Sequence, residues 1–387
     1  MIKRVSAVLS LVLAASACAS PSPGEEEPPH GYVEGAAELP EAQTTIAYAA
    51  RGARQLSLLD LATGKESRVD LSVAAERLID DGRFVYAVGG GTVEIVDTGV
   101  WSVDHTDHVH HYRAPARSVG VVHLDAPVTS VTGAGARTAI GTTDGRVTLL
   151  DRRGLEGGAV TAVTTIDSGS STALALPYAD RLLVAVGDAR DRPANRIVAM
   201  SADGRETGAF RAPCAAPRGA IVLRGGAVIA CEKSLIRVKL EKDVLTTEVL
   251  DSPVTPVART AFGHRPRSNE AALAGRTGIW SVNAAKATLH HLPVDGRDLV
   301  AAASPADDST VLALDAAGTV ISYDLRGGRK LAEAPLKATT LTLDINRAYA
   351  AAPQAGVIYE LDYRDKLRTA RTLRASQQPD LVVEVGR

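Results

Sequence analysis

The chain holds nine histidines, and five of them fall between residues 105 and 123. The segment reads Asp104-His105-Thr106-Asp107-His108-Val109-His110-His111-Tyr112, with His123 following on the next predicted strand. Neutral imidazoles beside carboxylates are the donors that Zn²⁺ prefers. His105, His108, His110 and His123, together with Asp107, are therefore the candidate metal ligands. Spacing limits which of them cooperate. On a strand His108 and His110 share a face, whereas His105 and His108 face opposite ways and can share an ion only if the chain turns between them. The alternatives are a solvated loop whose His and Asp pair with each other, and a pH-sensing cluster. His264 and the adjacent His290-His291 are weaker candidates, because neighbours on a strand point apart.

No catalytic constellation competes with this cluster. There is no Gly-x-Ser-x-Gly elbow and no phosphate-binding loop; Gly89-Gly90-Gly91 precedes a strand and opens no helix. The carboxylate pairs Asp80-Asp81 and Asp307-Asp308 sit in Gly- or Ser-flanked turns, where solvated acids are expected. Trp101 and Trp280 are the only tryptophans, too few for an aromatic cofactor cradle. The chain is expected not to be an enzyme. A formal net charge of −2 provides no basic field for nucleic acid.

The elements that must position the histidines are strands. One pattern recurs: a short apolar strand, a Gly-containing turn, then an alternating strand that ends near an acid or other polar residue. It is found at residues 56–60, 92–97, 146–151, 196–200, 235–239, 278–282, 319–324 and 356–362. Alternation at period two marks strands with one buried face. Copies spaced roughly 37 to 53 residues apart, each with room for four short strands, are the signature of propeller blades. The fold class is all-β, a β-propeller over residues 44–387, with eight blades expected and seven as the alternative. The first repeat lacks an innermost strand, and residues 380–385 at the tail are expected to supply it and close the ring. The insertion after Asp97 makes its repeat one of the longest, as expected of a functional loop on a rigid scaffold.

Ahead of the repeats, Lys3 and Arg4 precede an uncharged run from Val5 to Ala17, then Cys18. At roughly 13 residues this run is short of the about 20 that span a bilayer, and suits an export signal. Small residues directly before Cys18 resemble a bacterial lipobox. Residues 1–17 are then a signal peptide, Cys18 is lipidated, and the protein sits at the cell membrane facing outside the cytoplasm. Ordinary cleavage nearby is the alternative. Residues 18–43, rich in Pro, Glu and Gly, read as a flexible tether. Cys214 and Cys231 remain as an even pair in an oxidising compartment, either bridged or as two buried thiols. A bridge would close a loop of roughly 16 residues, worth on the order of 3 kcal/mol.

Val96-Asp97-Thr98-Gly99 followed by Asp104-His105-Thr106-Asp107-His108, and then His110-His111-Tyr112, resembles the AztD-like zinc metallochaperones. These are propeller proteins that hand zinc to the solute-binding protein of a zinc ABC transporter. The resemblance covers most of residues 45–387, and the Cys214/Cys231 pair fits it as well. It implies that His105 and His108, with Asp107 close by, are inherited zinc ligands, and that the partner is such a solute-binding protein. Two departures accompany it. The family's His-Gly pair after the first cysteine is Arg218-Gly219 here, and a family histidine near the Pro127 turn is absent from Pro127-Val128-Thr129-Ser130. His110, His111 or His123 would have to compensate. The competing reading is a metal-free scaffold that docks a cell-envelope protein.

Overall fold

The acids that end the repeated strands have a structural task. In this computed structural model, which describes residues 33 and 35–386 apart from 106, 107, 253 and 256–259, they fold the turn that follows. Asp60 Oδ1 accepts from the backbone N–H groups of Ala62 and Thr63, both at 2.9 Å. Asp97 does the same for Gly99 (3.1 Å), Asp324 for Arg326 (3.0 Å) and Asp362 for Arg364 (3.1 Å). A short carboxylate reaching the amide two residues on reverses the chain without help from distant contacts.

The turns after Asp60, Asp324 and Asp362 join the third strand of an antiparallel meander to its fourth, whereas the one after Asp97 leads into a hairpin of its own. The described strands form six four-stranded sheets, one three-stranded sheet and one eight-stranded sheet, and the last is two meanders joined by the parallel pairing of Gly263–His264 with Leu299–Ser304. The architecture is a β-propeller, with one short α-helix, Arg152–Glu156, and one 3₁₀ turn, Pro353–Ala355, among the described residues. In the first sheet the place before Thr45–Ala49 is taken by the C-terminal strand Leu381–Val385, in register from Thr45↔Val385 to Ala49↔Leu381. Among the described residues no helix is long and apolar enough to cross a membrane.

The core lies between sheets, and successive residues of one strand serve different neighbours. Ala47 packs with Val85, Ala87 and Val96 of the next sheet. Ile46 and Tyr48, on the opposite face, pack with Tyr349, Ala351 and Ile358 of the last. Stacking thus covers second and third strands on both faces, whereas fourth strands such as Glu66–Asp70 and Lys330–Pro335 are largely exposed. Polar residues on covered faces must then be satisfied internally. Glu94 is buried and accepts from the Ser72 and Val73 amides and from the Ser72 and Ser118 hydroxyls.

Asp81 is a correction. Expected in solvent, its carboxylate is buried, accepting from Arg152 Nε (3.0 Å), the Tyr86 hydroxyl (2.8 Å) and the Phe84 amide (2.9 Å). Asp344 repeats the arrangement with Tyr349 (2.6 Å). Asp308 does lie at the surface, paired with Lys286 at 2.7 Å.

The pair Cys214 and Cys231 is a disulfide, with Cα atoms 5.2 Å apart, inside the core shared by two neighbouring sheets.

Candidate metal centre

The histidine segment is a hairpin that leaves the second sheet at Gly99. Gly99 has a left-handed backbone (φ +74°), and a side chain there would run into the carbonyl of Ala114. This glycine is required for the chain to leave the sheet and return beside itself, with the Ala114 N–H donating to the Gly99 carbonyl at 2.7 Å. The strands Val100–Asp104 and Val109–Arg113 then pair from Val100↔Arg113 to Asp104↔Val109.

Its base is held by stacked groups. Arg83 and Asp97 form a buried two-pronged ion pair (3.2 and 2.9 Å), and the Arg83 guanidinium lies 3.8 Å from the Trp101 ring centroid. Trp101 stacks in turn on Tyr112, centroids 5.3 Å apart, and Tyr112 lies 6.2 Å from the His110 ring. Farther along, Asp104 pairs with Arg224 at 2.7 Å, and Arg113 with Asp60 at 2.5 Å. A two-stranded ribbon alone is marginal in water; these contacts fix this one to the propeller.

At its end the His105 N–H donates to the His108 carbonyl at 2.9 Å, so the chain turns where joint use of His105 and His108 requires it. Ring centroids are 5.0 Å apart for His105–His108, 5.3 Å for His105–His110 and 4.9 Å for His108–His110. One nitrogen of each lies within 4.8 Å of the other two. Among the described residues these three imidazoles are the ones close enough to share one metal ion once the rings draw together, and imidazole is a donor that zinc accepts.

The other candidates fall elsewhere. His111, on the opposite face of the strand, has Nδ1 2.8 Å from Ser102 Oγ. Burial, followed by the charges of Arg267 and His110, pushes its pKa down and favours the neutral ring. His123 ends the Arg117–His123 strand, exposed and opposite Thr92, outside the three-histidine group. Of His110, His111 and His123, it is His110 that joins His105 and His108 among the described residues. His264 pairs with Ser304 between two meanders. His291 packs on Trp280 (4.6 Å), while His290 is exposed. Asp107, Cys18 and the signal segment lie outside the described residues.

One partner of the cluster was not legible in the sequence. Ala37–Leu39, read as tether, is a third strand of the hairpin sheet, paired from Ala37↔Arg113 to Leu39↔His111. The tether reading to residue 43 therefore fails at this point, because the outer edge of the hairpin presents backbone groups that a passing strand can satisfy. Its Glu38 Oε1 lies 2.6 Å from His110 Nδ1. No spacing rule relates residues 72 positions apart.

A solved structure of AztD from Citrobacter koseri matches with a TM-score of 0.72 at 15% identity, over 89% of this chain and 98% of that one. The fold is that of AztD. The apo AztD structure from the same organism matches at 0.74 and 14% identity, with the same 89% and 98% covered. BamB from Moraxella catarrhalis matches at 0.52 and 16% identity, over 79% of this chain and 92% of that one. Dihydro-heme d1 dehydrogenase NirN matches at 0.58 and 14%, over 88% and 75%. A dehydrogenase shares the architecture with AztD, so activity must be argued from the site. No family model matches the sequence, and no curated protein does.

Proposed function

We propose that this chain is an extracytoplasmic zinc carrier, not an enzyme, that passes zinc to the solute-binding protein of a zinc ABC transporter while lipid on Cys18 holds it at the cell membrane. The observation that carries the reading is the convergence of His105, His108 and His110 on one hairpin, each offering a nitrogen within 4.8 Å of the others. The AztD fold and the Asp104–His108 motif support it. Zinc is the cargo. Three imidazoles among the described residues hold it, and because zinc also accepts a fourth ligand, an incoming donor from a partner can bind before the outgoing ones dissociate. Position agrees with transfer: His108 is exposed, and His105 and His110 are half-buried.

Equilibrium dialysis of the purified chain against zinc, beside His105→Ala/His108→Ala, tests binding. One equivalent is expected in the wild type and none in the variant at matched free zinc. Absence of zinc from the wild type, or equal binding by both, overturns the carrier and leaves a docking scaffold. Mixing the zinc-loaded chain with metal-free solute-binding protein in the presence of a chelator too large to enter the complex then tests direct transfer.

A further inference from the structure

Ala37–Leu39 sits at the edge of the hairpin sheet, attached through three register pairs, with Ala37 and Glu38 exposed and Leu39 half-buried. Glu38 stands opposite Tyr112, but its side chain runs diagonally along the same sheet face to the residue two positions away, His110. Diagonal neighbours on an antiparallel face are within reach of a long side chain. The carboxylate is an acceptor only, so at 2.6 Å it accepts a hydrogen bond from Nδ1–H, which keeps the proton on Nδ1 and leaves the Nε2 lone pair for another partner. Carboxylate–histidine–metal relays orient ligand rings in this way and raise their basicity.

We propose that Glu38 is a positioning residue for the ligand His110, and that the Ala37–Leu39 strand is a detachable clasp that couples zinc retention to docking of the N-terminal segment on the hairpin. The inference rests on the zinc-carrier reading and adds its control. With the clasp docked, the His110 ring is held toward His105 and His108. With the clasp displaced, the ring is free to rotate, the site falls to two fixed donors, and zinc leaves faster. By linkage, whatever docking contributes to zinc affinity, zinc contributes equally to docking. A partner that pairs with the hairpin edge in place of Ala37–Leu39 would release the cargo by the same step. The chain runs on from this strand toward Cys18, so the clasp lies between the expected anchor and the site.

The test uses the full chain and zinc alone, measured by competition with a chromophoric chelator. Glu38→Ala is expected to weaken zinc binding about 10–100-fold, the usual effect of losing an outer partner of a ligand histidine, and to speed release by a similar factor. Glu38→Gln keeps an acceptor oxygen and is expected to recover most of the loss. In a His110→Ala background, Glu38→Ala is expected to have no further effect, which a merely structural role for Glu38 would not produce. Hydrogen exchange of the wild type should show amides of residues 37–39 slowed by zinc. Wild-type affinity in Glu38→Ala, additive losses in the double variant, or unchanged exchange at residues 37–39 in zinc-saturated protein would each overturn the clasp while leaving the carrier intact. Failure of the wild type to bind zinc overturns both.

Discussion

The backbone N–H of His105 donates to the carbonyl of His108 at 2.9 Å, and this bond brings together two rings that a continuous strand would send to opposite faces. Their centroids stand 5.0 Å apart, and His110, one strand position beyond Val109, completes the group. Replacing any one of the three by Ala should therefore reduce zinc affinity by more than the about 10–100-fold typical of an outer-shell loss. His123→Ala should leave affinity unchanged. Chelator competition on the four single variants distinguishes this ligand set from one that includes His123.

The stack beneath the hairpin should be a stability element. Arg83→Ala leaves the Asp97 carboxylate buried without its main partner, a change that costs about 3–5 kcal/mol. Arg83→Lys should recover little, since an ammonium neither matches the two carboxylate oxygens nor lies flat on Trp101. Urea denaturation reports the loss, and Trp101 emission should change in the same transition. A wild-type midpoint for Arg83→Ala would contradict this account.

Asp81 supplies a pH dependence with a definite sign. Burial pushes its carboxyl up, but the adjacent Arg152 charge and hydrogen bond, helped by Phe84 and Tyr86, more than offset it and hold the pKa below the usual carboxylate value. A group depressed on folding stabilises above its unfolded pKa, and that contribution is lost as pH falls through the folded value. Asp81→Asn should cost about 3–5 kcal/mol near neutral pH, because Arg152 stays buried opposite a neutral group. The gap to wild type should close in acid, below the carboxylate range. Thermal melts of both proteins from neutral to acid pH check this, and a constant gap would argue against it.

Reduction of Cys214–Cys231 should lower stability by about 3 kcal/mol, the loop entropy of a bridge between residues 17 apart. Cys214→Ala/Cys231→Ala should reproduce the loss and make the melt insensitive to reductant. The bridge lies in a core distant in sequence from residues 105–110, so zinc stoichiometry should persist in the double variant. Calorimetry with and without reductant, followed by dialysis, separates the two effects.

The propeller was legible because its signals are local. Alternation, Gly turns and strand-ending acids recur at Gln55–Asp60, Thr319–Asp324 and Val357–Asp362, and each acid caps its own turn within three residues. Which sheet covers which face was not legible. Whether Ile46 faces solvent or Tyr349 depends on a sheet some 300 residues away in the chain, and period two is the same in either case. Asp81 was misread for a similar reason, since its partner Arg152 lies 71 residues farther along, in the short helix Arg152–Glu156.

By itself the sequence determined the fold class, the tail strand available to Thr45–Ala49, the cysteine pair and the histidine-rich insertion. All of these follow from the type and spacing of residues close along the chain. Only the tertiary structure decided that His110 joins His105 and His108 while His111 and His123 do not, and that Glu38 reaches His110 from a segment with the composition of a linker. Those outcomes depend on which backbone edge lies open to a passing strand and on which face each ring takes. Both are set by hydrogen-bond register between distant segments, and composition carries no record of register.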